Sequence, residues 1–137
     1  MRLQKRLKSI LLVASFLFFF QVLAYSTRSV FLEEAVCNTA GPFGIMLPPI
    51  LLGILLVGTW GGLSLLWWKH RNEDYSFVWL ILLSAGLSNI VERLLHGCVF
   101  DYIAFPWWPV FNGADVALFV SVVFLVWKEY MSSEGGR

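Results

Sequence analysis

The chain has 137 residues, room for one domain, of which 58% are hydrophobic, 17% aromatic and only 14% charged. Soluble domains carry about a quarter charged residues, so this composition, with a mean hydropathy of +0.73, excludes an ordinary soluble protein and predicts a bilayer one. A net charge of +1 without a basic cluster gives no reason to expect nucleic acid as a partner.

The first eight residues, MRLQKRLK, form a basic cap before the apolar run Ser9–Ala24. A secretory signal peptide cleaved near Ala24 has the same appearance. A retained first span over 9–27 is the expectation, because three further spans follow and need a partner. An outer loop over 28–44 holds Arg28, Glu33 and Glu34. The second span, 45–68, opens on Pro48-Pro49 and contains Gly53, Gly58, Gly61 and Gly62, small residues that let membrane helices approach closely.

Lys69–Asp74 is a charged turn, too short for anything but a helical hairpin. The third span covers 76–95, a second outer loop 96–108 and the fourth span 109–128, with a polar, frayed tail from Lys128. Each apolar run suits a hydrocarbon layer of about 30 Å. The whole chain, 1–137, reads as one membrane domain. Arg2, Lys5, Arg6, Lys8, Lys69, Arg71, Lys128 and Arg137 fall on one side of four spans, and only Arg28 and Arg93 lie towards the other. Lys and Arg concentrate on cytoplasmic loops, so both termini are expected there and both outer loops outside.

Chemistry concentrates between Gly86 and Asp115, where an apolar sequence carries Asn89, Glu92, Arg93, Asp101, Asn112 and Asp115. Ionisable groups at membrane depth are expensive and mark functional sites by default. Leu82, Ala85, Gly86, Asn89, Arg93 and His96 share one helical face, with Glu92 at its border. Taken alone, Asn89 and Arg93 read better as interhelical glue. Asn112 and Asp115 alone read as a helix cap and an acid at the positive end of a helix, but that helix end falls at the mouth of the bundle, facing a second acid on a loop. Two carboxylates in one partly desolvated site cannot both ionise cheaply, so one keeps its proton while the other acts as base. Such a pair activates water against an amide carbonyl without a metal or a covalent intermediate. Spacing alone does not show that Asp101 and Asp115 meet.

Other devices are poorly represented. His70 lies in the charged turn and His96 is a single outer-edge histidine, so no metal site is expected. Ser84 and Ser88 lack histidine–acid partners. Tyr102, Trp107 and Trp108 suit a substrate wall or, more commonly, an interfacial aromatic belt. Cys37 and Cys98 fit no metal spacing or disulfide framework; they both fall near the outer side, and two ordinary buried thiols are expected rather than a pair.

Three blocks make the chain resemble the lipoprotein signal peptidases, also called signal peptidase II. Asn38-Thr39-Ala40-Gly41-Pro42-Phe43-Gly44 is similar to that family's N-T-G-A-A-F-G block. Gly86-Leu87-Ser88-Asn89-Ile90-Val91-Glu92-Arg93, with Gly97 and Val99-Phe100-Asp101-Tyr102-Ile103, resembles its G-x-x-x-N-x-x-D-R…G-x-V-x-D-F block. Phe111-Asn112-Gly113-Ala114-Asp115 matches its F-N-x-A-D block. The likeness covers nearly the whole chain. It implies an all-α membrane protein of four transmembrane helices with a small extracytoplasmic loop/β cradle.

The resemblance further implies Asp101 and Asp115 as catalytic aspartates, with Asn89, Glu92, Arg93 and Asn112 supporting them and Asn38 helping to hold substrate. The family cleaves bacterial prolipoproteins just before a diacylglyceryl-modified cysteine. That implies the prolipoprotein and membrane lipid as partners, no cofactor, a monomer, and a multi-pass location in the bacterial cytoplasmic (inner) membrane with the site near its outer face. Departures mark a divergent, shortened member. The family's first-span D-x-x-x-K corresponds to Gln21-Val22-Leu23-Ala24-Tyr25, which lacks both charges, and Glu92 replaces an Asp. Those losses motivate an alternative, a relative that binds lipidated peptides without cutting them. A third class, a structural or transport subunit, uses the acids as helix glue or an ion path.

Overall fold

The computed structural model describes residues 2–30, 35–41 and 44–134. Glu33, Glu34, Pro42, Phe43 and Arg137, singled out above, lie outside the described residues, as does Met1 of the basic cap. The elements run α1 (Arg2–Val30), β1 (Val36–Asn38), α2 (Pro49–His70), α3 (Ser76–His96), β2 (Val99–Asp101), β3 (Ile103–Phe105), β4 (Trp108–Phe111) and α4 (Gly113–Glu134). All four helices are long and apolar enough to cross a membrane, which requires backbone polar groups to be satisfied within the segment.

Local chemistry sets the helix ends. Pro48 precedes α2 in an extended conformation and Pro49 occupies its first position, where a missing N–H removes no helical bond. Lys69 and His70 in the last turn complement the negative end of the helix. Gly97 ends α3 at φ 75°, left-handed backbone that disfavours side chains, and its N–H donates to Arg93 O at 2.9 Å. The fourth helix begins only after β4, so Pro109–Phe111 is strand rather than the opening of a span. It then continues past Lys128 to Glu134, where the sequence suggested a frayed tail.

The third helix is the hub, packing against each of the other three. Leu82, Ser84 and Ala85 are almost wholly buried, whereas α1, α2 and α4 leave Phe18, Ile50, Leu65, Phe119 and Val126 exposed as a lipid-facing exterior would. Phe20 of α1 sits in a cluster with Ala85 and Ala114, whose small side chains admit the ring. Polar bonds join the helices as well. Gln21 Nε2 donates to Ser88 Oγ at 2.9 Å, and Trp60 Nε1 to Leu83 O at 2.9 Å.

At one end of the bundle, Lys128 lies 5.9 Å from the Tyr75 ring centroid, beside the charged turn between α2 and α3. At the other end the short strands form two two-stranded antiparallel sheets. Strand β1 pairs with β2, aligning Val36 with Asp101 and Asn38 with Val99. Strands β3 and β4 form a hairpin with an irregularity between Ile103 and Phe105. A disulfide joins Cys37 to Cys98 across the first sheet, correcting the expectation of two buried thiols. Cys98 is indeed buried, but Cys37 lies on exposed β1, and pairing of the strands brings their Cα atoms to 5.5 Å, an ordinary bridging distance.

Candidate active site

Four segments converge at the sheet-bearing end of the bundle. The end of β2 supplies Asp101, β1 supplies Asn38, the last turns of α3 supply Asn89, Glu92 and Arg93, and the start of α4 supplies Asn112 and Asp115.

Asn112 is the junction. Its backbone N–H donates to Asp115 Oδ2 at 3.2 Å, while its own Oδ1 accepts the Asp115 N–H at 3.0 Å. This reciprocal pair caps α4 and satisfies an otherwise orphaned donor of the first turn. The capping reading is therefore correct as far as it goes. The Asn112 side chain does more, because its Nδ2 donates to Asp101 Oδ1 at 2.9 Å and to Asn89 Oδ1 at 3.3 Å. Asn89 Nδ2 in turn donates to Asp115 Oδ1 at 2.7 Å. Two asparagines thus connect the two carboxylates, and Asn38 Nδ2 closes the far side of Asp101 at 2.8 Å to Oδ2.

Asp101 and Asn112 are both buried. Burial pushes the Asp101 carboxyl above the usual carboxylate range; the Asn38 and Asn112 donors pull it back, the Asp115 charge raises it and the Arg93 charge lowers it. A carboxyl with a second acid nearby and several neutral donors is suited to holding a proton that it can give up.

Glu92 and Arg93 act one step away. Arg93 Nη2 donates to Ala40 O at 2.9 Å, fastening the segment that follows Asn38. Glu92 is buried and its Oε2 accepts the Phe100 N–H at 3.0 Å, steadying the residue before Asp101. Its other neighbours form a small cavity of about 90 Å³ with Gln21, Ala24, Tyr25, His96 and Phe100. The uncharged Gln21 and Tyr25 thus share this cavity with Glu92.

Tyr102 is tied to the start of α4 beside Asn112. Its hydroxyl accepts the Gly113 N–H at 2.9 Å, and burial raises its pKa. Trp107 and Trp108 lie at the exposed turn of the β3–β4 hairpin. Ser84 and Ser88 are consumed by helix contacts: Ser84 Oγ donates to Leu80 O and Ser88 Oγ accepts from Gln21. His70 stacks on Trp79 beside the charged turn.

Comparison with known proteins bears on this arrangement. The protein-family model described as Signal peptidase (SPase) II matches residues 6–131. The chain is 31% identical over 91 residues to a lipoprotein signal peptidase of Shewanella oneidensis, covering 61% of this chain and 53% of that protein. It is 36% identical over 74 residues to one of Burkholderia mallei, covering 50% and 45%. The chain thus spans about half the length of the curated relatives it matches. A solved structure described as a bacterial membrane enzyme obtained by the in meso method at 2.3 Å superposes with a TM-score of 0.74, covering 95% of this chain and 92% of that one at 19% identity. A second, at 1.9 Å, has a TM-score of 0.62, 20% identity and coverages of 87% and 90%. These two likenesses establish the fold.

Proposed function

The chain belongs to the signal peptidase II family, and on that premise we propose that it is a membrane aspartic endopeptidase that removes the signal peptide of bacterial prolipoproteins just before a diacylglyceryl-modified cysteine. The observation that carries the mechanism is the shared asparagine: Asn112 donates to Asp101 while capping the helix turn that holds Asp115. The two acids share one proton, and burial inclines Asp101 to hold it. The ionised partner takes a proton from a water lying between them. The resulting oxygen attacks the scissile carbonyl carbon as the protonated acid gives its proton to the carbonyl oxygen. Collapse of the tetrahedral species breaks the C–N bond, and a proton passes to the leaving amine. Asn89, Asn38 and Asn112 keep the carboxylates at fixed angles, Arg93 and Glu92 hold the segments carrying Asn38 and Asp101, and the apolar helices hold the substrate's lipid and signal helix in the bilayer.

The placement of Lys69, Arg71 and Lys128 at the end opposite the site supports cytoplasmic termini and a site at the outer face of the inner membrane. The chain acts as a monomer, within a single domain that spans the whole sequence. The test is cleavage of a diacylglyceryl-modified prolipoprotein by the purified protein in detergent, beside Asp101→Asn and Asp115→Asn. A gel shift with wild type alone is expected. Cleavage by Asp101→Asn would sink the mechanism. Binding without cleavage by wild type would transfer the reading to a non-cutting relative, which the uncharged Gln21 and Tyr25 beside Glu92 favour.

A further inference from the structure

Asn38 does not stand free to meet a substrate. Its amide donates to Asp101, and its Oδ1 accepts the Ala40 N–H at 2.9 Å. Downstream, the segment is held by the Arg93 guanidinium on Ala40 O, by the burial of Ala40 and by the Gly41 N–H donating to Ile45 O at 2.8 Å. Upstream, it is strand β1, three residues paired with three residues of β2. Two strands of that length are marginal without covalent or packing support. Packing is scant, because Val36 and Cys37 are both exposed. Among the described residues upstream of Asn38, the firm tie is the bond from Cys37, the residue immediately before it, to Cys98. Cys98 is 1% exposed and follows the Gly97 cap of α3, so it offers a rigid anchor three residues ahead of Asp101.

We propose that the Cys37–Cys98 disulfide is a positioning device for the catalytic pair: it sets Asn38 against Asp101 and makes cleavage depend on an oxidising environment at the site. This rests on the reading of Asp101 as one of two catalytic acids. Closure removes two protons and two electrons from the two thiols, and a protein or small-molecule disulfide accepts them, becoming a dithiol. Opening runs through the exposed sulfur. An external thiolate attacks Cys37 Sγ, the Cys98 thiolate leaves into its buried position and takes a proton, and a second external thiolate releases Cys37 from the mixed disulfide. With the bond open, β1 frays, Asn38 leaves Asp101, and the acid loses a donor that favours its ionised form.

The experiment uses the whole protein in detergent, with free thiols counted by mass after alkylation. Oxidised wild type, phosphine-reduced wild type, the same sample reoxidised with oxidised glutathione, Cys37→Ser/Cys98→Ser, Asn38→Ala and the triple variant are compared. The readouts are kcat, KM and the pH profile on a diacylglyceryl-modified prolipoprotein. Reduction should lower kcat about 3-fold or more with little change in KM, and reoxidation should restore it. The pH limb belonging to Asp101 should move upward. In Asn38→Ala, opening the bond should change kcat no further, because the two perturbations act through one contact. Equal kcat in oxidised and reduced wild type would overturn the proposal, as would losses that multiply in the triple variant. If oxidised wild type does not cleave at all, the peptidase reading fails separately. The positioning is then read from the carboxyl infrared band that Asp101→Asn removes: an upward shift of its titration on reduction supports the proposal, and no shift overturns it.

Discussion

Replacing Asn112 separates what it does for the fold from what it does for the acids. Asn112→Ala removes the Oδ1 that accepts the Asp115 N–H and the Nδ2 that donates to Asp101 and Asn89. Loss of an N-cap costs about 1 kcal/mol of stability. Loss of a hydrogen bond to a charged group is worth about 1.5–3 kcal/mol, which in the transition state is roughly a 10- to 100-fold fall in kcat. Asn112→Ser keeps a cap acceptor of comparable quality but has no amide reaching Asp101. Ser should therefore melt close to wild type, Ala should melt lower, and both should lose catalysis by similar factors. The assay is a thermal melt in detergent beside initial rates of prolipoprotein cleavage. A serine variant that cleaves at the wild-type rate would refute the bridging role. One that melts with the alanine variant would refute the cap.

Three further outcomes follow from the same geometry. Asp101 has a raised pKa when folded, so the folded state binds the proton more tightly than the unfolded chain, whose value lies near 3.9. Its contribution to stability is present at acid pH and lost as pH rises through the folded value; melts of Asp101→Asn between pH 4 and 8 should decline less steeply than wild type, and an equal slope would contradict the burial cause. Glu92→Gln keeps an oxygen for the Phe100 N–H and should retain most activity, whereas Glu92→Ala leaves that donor unpaired and should lower stability by about 1–3 kcal/mol and kcat with it; indistinguishable melts for the two would remove Glu92 from the support of β2. At Gly113 an added Cβ would lie 2.9 Å from both Leu23 Cδ2 and the Tyr102 hydroxyl, so Gly113→Ala should destabilise by about 1–3 kcal/mol, while an unchanged melt would show that α1 and Tyr102 yield freely.

Much of the fold class was legible because bilayer chemistry is severe. Long apolar runs separated by short polar turns leave few alternatives to four helices, and the small strands were anticipated only as a cradle implied by family resemblance. Element ends were less legible. Pro109 invites a helix start in sequence, yet Asn112 is the residue whose side chain caps, and the strand before it takes Pro109 instead. Among site residues, Asp101 and Asp115 stood out as charges in apolar surroundings, but their link through Asn89 and Asn112 depends on contacts 23 and 26 residues apart. The Cys37–Cys98 bond spans 61 positions and carries no spacing signal. Its only sequence cue was that both cysteines fall in outer loops. For Tyr102 the sequence offered a substrate wall or an interfacial belt, and the bond its hydroxyl accepts from the Gly113 N–H is one that no pattern reveals.

The site also explains why its polar residues are amides rather than more charges. Asp101 is buried, and a cation bonded directly to it would hold it ionised and unable to deliver a proton. An apolar neighbour would leave the carboxyl too poorly solvated to ionise when the proposed reaction reverses its role. Asparagine avoids both extremes, since its amide donates through Nδ2 and accepts through Oδ1 without net charge. Asn112 uses both ends, Asn38 uses both ends, and Asn89 gives to one acid while accepting from Asn112. The positive charge of Arg93 is bonded instead to a carbonyl, Ala40 O, where it moderates Asp101 from a distance. On the proposed mechanism the two acids exchange roles within one turnover, and neutral partners that donate and accept without net charge would serve that exchange without fixing either acid in one protonation state.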